Sequence, residues 1–134
     1  MDKKNLKKRR IKTEKSCCTD GSRLIYSCSG GSDVGEVADG VARKLRDDGF
    51  GMMTCLSAVA AHLSGFVESA KGARENITID GCSVVCAKKT LEHIGVAPKS
   101  YVLTEMGLEK GKTRVDQKTI RDLCEKIKND RKRN

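Results

Sequence analysis

The chain has 134 residues and a formal net charge of +9, from 27 Lys and Arg against 18 Asp and Glu, and only 3% of it is aromatic. That length suits one domain with a core of its own, which Val, Ile, Leu, Met and Ala must fill. No window approaches the apolar length of a membrane span, and the basic start runs into Ser16-Cys17-Cys18-Thr19-Asp20 rather than an apolar stretch, so no secretory signal is expected.

The charge sits at the ends. Residues 1–15 carry eight Lys and Arg against Asp2 and Glu14, residues 126–134 carry five against Asp130, and everything between nets −1. The expected organisation is a basic, disordered tail over residues 1–20, one α/β domain with a four-cysteine site over 21–128, and a basic C-terminal tail over 129–134. Such tails attract phosphates or anionic surfaces without regard to sequence. With no aromatics interleaved to stack on bases, nucleic acid is only a weak expectation. The seven cysteines, in a protein expected to be cytoplasmic, argue for metal or thiol chemistry rather than a disulfide framework.

The first predicted strand is Arg23-Leu24-Ile25-Tyr26-Ser27, followed by the turn Cys28-Ser29-Gly30-Gly31-Ser32. From Asp33 the period becomes helical, with Val34, Val37, Ala38, Val41, Ala42 and Leu45 on one stripe. Asp33 and Glu36 are the expected capping box, and Asp48-Gly49 the stop. The turn offers backbone N–H groups to an anion, which makes Ser29, Gly30, Gly31 and Ser32 the candidate cofactor-binding residues. The GxGxxG spacing of a dinucleotide site is absent.

The second strand runs from Phe50 to Thr54 and ends at Cys55. One helix is expected to follow through Val59, Leu63, Phe66, Val67 and Ala70 to Gly72. Asn76 to Asp80 is the third strand, leading into Gly81-Cys82-Ser83. A helix starting near Ser83 carries Val84, Ala87, Leu91 and Ile94 inward and stops at Gly95. Lys99 to Thr104 is the fourth strand, and Asp116 caps a last helix with Ile120, Leu123, Cys124 and Ile127 on one face.

This alternation predicts a three-layer, Rossmann-like or flavodoxin-like α/β fold: a four-stranded, mostly parallel sheet with helices on both faces. The first choice of strand order is 2-1-3-4, taken as a prior rather than derived.

Cys28, Cys55 and Cys82 are spaced at intervals of 27 residues. A strand plus its crossover helix takes about 30, so the interval predicts one recurring position at the carboxyl ends of successive parallel strands. With Cys86, four thiols then share the edge where open α/β sheets bind ligands. Zinc holds thiolates at about 2.3 Å, which sets sulfurs roughly 4 Å apart, within reach of loops leaving adjacent strands. Cys86 is expected in the first turn of its helix, where the positive helix end favours a charged ligand atom. Softness alone leaves zinc and an iron-sulfur cluster both open, with reactive thiols for redox or sulfur transfer as a further possibility. The spacing is not that of a ferredoxin.

The segments Ser27 to Asp39, Cys55-Leu56, Glu68-Ser69-Ala70-Lys71 and Asp80-Gly81-Cys82-Ser83-Val84-Val85-Cys86-Ala87 together resemble the DGC-domain family over roughly residues 23 to 110. That family is described as zinc-binding, with four characteristic cysteines. The resemblance implies a Zn²⁺ ion held by Cys28, Cys55, Cys82 and Cys86. One departure is the stretch Ser57 to His62, where a glycine-richer turn is expected.

Four thiolates on one divalent ion leave a charge of −2, which N–H groups and Lys88 or Lys89 are expected to offset in part. The full sphere has no vacancy for a hydrolytic water. Cys124 reads as a buried hydrophobe, and Cys17-Cys18 as an incidental exposed pair. His62 reads as an exposed helical side chain rather than an added donor. Asp80 either orients a ligand or organises its turn, and Glu105 is expected near the same edge. No nucleophile and base are paired at a recognisable spacing, so no catalytic residue is assigned and enzyme activity stays open.

Overall fold

A computed structural model, which describes residues 22–134, turns these runs into one parallel sheet. Its strands are β1 (Arg23–Ser27), β2 (Met52–Met53), β3 (Glu75–Asp80) and β4 (Lys99–Val102), in the order β2-β1-β3-β4. This is the fold class and strand order expected from the sequence. Parallel neighbours need crossovers. They are supplied by α1 (Asp33–Asp47), by α2 (Leu56–Ala60) with α3 (Ser64–Gly72), and by α4 (Cys86–His93), while α5 (Gln117–Arg133) closes the chain.

Alternation along β1 sends Ile25 to one face of the sheet and Leu24 and Tyr26 to the other. Ile25 packs with Val37, Val41 and Leu45 of α1 and with Leu123 and Ile127 of α5. Leu24 and Tyr26 pack with Val59, Ala70, Ala87 and Leu91 from α2, α3 and α4. Each Val, Leu or Ile among them contributes about 1.5–3 kcal/mol on burial.

Several boundaries differ from expectation. β2 pairs only through Met52 with Leu24 and Met53 with Ile25, although the Thr54 N–H still donates to the Ile25 carbonyl at 3.0 Å. The helix expected over 56–72 is two helices, broken where His62 takes a φ of 56°. α4 begins at Cys86 rather than near Ser83, which keeps Cys86 in the first turn. β4 stops at Val102 and tightens into a 3₁₀ turn over Leu103–Met106. The cap of α1 is Ser32, whose Oγ accepts the Gly35 N–H at 3.1 Å, not Asp33.

The stretch expected as a C-terminal tail, 129–134, is helical through Arg133. Two of its charges are committed to the fold: Arg131 pairs with Glu75, which also pairs with Arg23, and the Tyr101 hydroxyl donates to Asp130 at 2.6 Å. Just before it, Lys128 pairs with Asp48 at 2.6 Å. The expected N-terminal tail, with Cys17 and Cys18, lies outside the described residues. Among the described residues no helix is long and apolar enough to cross a membrane.

Candidate functional site

β1 and β3 are paired over five positions, from Arg23 with Glu75 to Ser27 with Ile79, so the loops leaving their carboxyl ends run side by side. The Cys28 N–H extends that ladder by donating to the Ile79 carbonyl at 3.1 Å. Cys82 lies two residues past the end of β3, and Cys86 opens α4. All three cysteines line one cavity of about 250 Å³. Cys55 does not: it is the exposed residue preceding α2 and makes no side-chain cap bond. Wider hollows of about 440 Å³ beside Arg74 and Lys99, and of about 510 Å³ between α1 and α5, are lined by no thiol.

Missing side chains let these loops close in. A Cβ on Gly81 would stand 2.7 Å from the Gly35 nitrogen and the Val34 carbonyl carbon, and one on Gly35 would stand 2.8 Å from the Gly30 oxygen. Only glycine permits that approach. The segments carrying Cys28 and Cys82 therefore meet over the first turn of α1, where the Gly81 N–H points to Cys28 Sγ at 3.4 Å.

Asp80, only 1% exposed, resolves its two readings in favour of organisation. Val85, the residue before α4, is left-handed at φ 51° and offers no side-chain cap. Asp80 caps the helix from seven residues upstream, Oδ1 accepting the Ala87 N–H at 2.8 Å and Oδ2 the Lys88 N–H at 3.1 Å. Burial raises its pKa, opposed by those two N–H bonds. In Asp80-Gly81-Cys82, then, the first residue fixes α4, the second admits the backbone contact and the third presents its thiol to the cavity.

The nearby cation is Lys110, not Lys88 or Lys89. Its Nζ lies 3.8 Å from Cys82 Sγ, whereas Lys88 faces Glu92 at 3.8 Å. The Lys110 loop is pinned by Asp33, which accepts the Gly111 and Thr113 N–H groups at 2.9 Å each and is held below the usual carboxylate range by them. Sequence reading missed Lys110 and the role of Asp33, because these contacts join residues 28 and about 80 positions apart and leave no local pattern.

Of the candidate anion-binding turn, Gly30, Gly31 and Ser32 line the cavity. Ser29 is exposed at φ 49° and is not part of the lining, and the Ser32 hydroxyl is engaged in the α1 cap. Three non-glycine residues among those described have a left-handed backbone, Ser29, His62 and Val85, and two of them adjoin cavity cysteines. Such strain concentrates at functional sites.

Cys124 is buried on α5, its thiol pointing to the Val41 carbonyl at 3.6 Å, and burial pushes its pKa up to about 11. Glu105 is exposed in the 3₁₀ turn and is not part of the cavity lining. Among the described residues no three His, Cys, Asp or Glu side chains come close enough together to hold a metal ion. The thiols share a cavity without converging on a point.

Comparison with known proteins bears on the same segments. The DGC domain family matches residues 24–127. Over 88 residues the chain is 33% identical to the anaerobic and virulence modulator AnvM of Pseudomonas aeruginosa, covering 65% of this chain and 67% of that protein. No solved structure matches the chain. A match over residues 24–127 takes in the sheet from Leu24 onward and all four rim cysteines, and the chain belongs to the DGC-domain family.

Proposed function

We propose that this protein binds one zinc ion through Cys28, Cys82, Cys86 and Cys55, in a structural or metal-handling role. The observation that carries the reading is the cavity shared by Cys28, Cys82 and Cys86, which are brought to one rim from two strands. Thiolate sulfur suits zinc, and Cys55, at the end of the neighbouring strand, is the available fourth donor. The ion would supply a fixed cross-link between loops rather than a reacting centre, because four protein ligands fill its sphere. Lys110 and the Gly81 N–H stand where they offset the charge of the thiolates. At cysteine sites of this kind metal binding is coupled to folding, so the binding free energy would add to the stability of the loops that carry the thiols.

The test is metal analysis with an absorption spectrum on protein purified without air and without a nickel column. One zinc per chain in a colourless sample is the expected result. Brown visible absorbance would replace the reading with an iron-sulfur cluster, and metal-free reactive thiols would replace it with redox or sulfur-transfer chemistry.

A further inference from the structure

The chain has two histidines, and the fold brings them together. His62 sits at the break between α2 and α3, and His93 is the last residue of α4. Their ring centroids are 5.4 Å apart with planes at 75°. Both residues are exposed, and both line a surface hollow of about 310 Å³ with Lys89 and Thr90. His62 reaches this position through a left-handed backbone at φ 56°. Non-glycine residues adopt that conformation rarely, though histidine does so more often than most.

We propose that His62 and His93 form a second metal site, distinct from the cysteines, that takes a late first-row divalent ion such as Zn²⁺, Ni²⁺ or Cu²⁺. Imidazole nitrogen suits these ions. With metal–nitrogen bonds of about 2.0–2.1 Å and a tetrahedral angle, two imidazoles on one ion have ring centres roughly 5 Å apart. The observed separation of 5.4 Å is close to that value. Two protein ligands leave the other positions to water or an outside ligand. Lys89, in the same hollow, favours an anionic one such as chloride or a carboxylate. The site is therefore open and exchanging, unlike a four-thiolate centre. An ion here also ties α2 to α4, the two helices whose opposite ends bear Cys55 and Cys86.

The experiment follows the side-chain nitrogen signals of the two histidines by NMR in the full chain as Zn²⁺ is added. It is run on a variant with Cys28→Ser and the same change at positions 17, 18, 55, 82 and 86, and on wild-type protein first loaded with zinc at its thiols and then dialysed to clear loosely held ion. The second sample gives the answer if the variant fails to fold, and neither depends on the cysteine reading. The expected result is that both signals move together along one binding curve, with a stoichiometry of one ion per chain. His93→Gln should then raise the zinc concentration needed to move the His62 signal at least ten-fold. Signals that stay still, that move at different zinc concentrations, or that respond for His62 unchanged in His93→Gln would overturn the proposal.

Discussion

The rim of the sheet has a fixed half and a loose half. At the ends of β1 and β3, five paired positions, the Gly35–Gly81 contact, the Asp80 cap and Lys110 together hold Cys28, Cys82 and Cys86 around one cavity. At the end of β2 only two residues pair with β1, and Cys55 stands exposed before a five-residue helix without a side-chain cap. The same 27-residue interval delivers a cysteine to each of these three strand ends. Whether the thiol is then gathered in depends on the ladder behind it and on the glycines beneath it.

The largest expected effect comes from removing the organiser of the fixed half. Asp80→Ala leaves the Ala87 and Lys88 N–H groups without their acceptor, at a cost of about 3 kcal/mol in denaturant unfolding. A loss below 1 kcal/mol would mean that α4 is held by other means. Gly81→Ala drives a methyl group into the backbone of α1, with a destabilisation of about 2 kcal/mol and reduced zinc uptake. If both properties are unchanged, the glycine contact does not set the approach of the loops.

A smaller difference separates the two halves directly. Cys82→Ser should weaken zinc binding at least ten-fold more than Cys55→Ser in a competition titration with a chelator, a gap of about 1.4 kcal/mol. Equal loss in the two variants would place Cys55 on the same footing as the others. The smallest effect is the anchoring of the Lys110 loop by Asp33. Bonds from Gly111 and Thr113 hold that carboxyl below its usual range, so it binds fewer protons in the folded state than in the unfolded state. Its contribution is complete above about pH 4 and is lost as pH falls through the lowered value. Hydrogen exchange of the Gly111 and Thr113 amides should speed up over that range relative to the intrinsic rate. Asp33→Asn should abolish the pH dependence.

The comparison also shows what a linear reading can reach. β1 and α1 were legible because a buried strand and an amphipathic stripe each leave a local period, and Leu24 to Leu45 follow both. The rim location of the cysteines was legible from their interval. The length of β2 was not, because an edge ladder stops where its partner stops, which no period records. The break at His62 was equally hidden: Leu56 to Ala70 carries apolar residues throughout, with no proline to interrupt them. Ser32 and Asp33 are both good caps, and the choice between them was made by Gly111 and Thr113, far along the chain. The basic C-terminal run read as a tail because its partners Glu75, Asp48 and Tyr101 belong to distant elements.

X-ray absorption at the zinc edge, on protein purified without air or nickel, tests most directly whether sulfurs from separate strands close on one ion. Four sulfur neighbours at about 2.3 Å are expected, falling to three with one lighter atom in Cys55→Ser. A shell of nitrogen and oxygen alone, or four sulfurs persisting in both Cys55→Ser and Cys82→Ser, would contradict it.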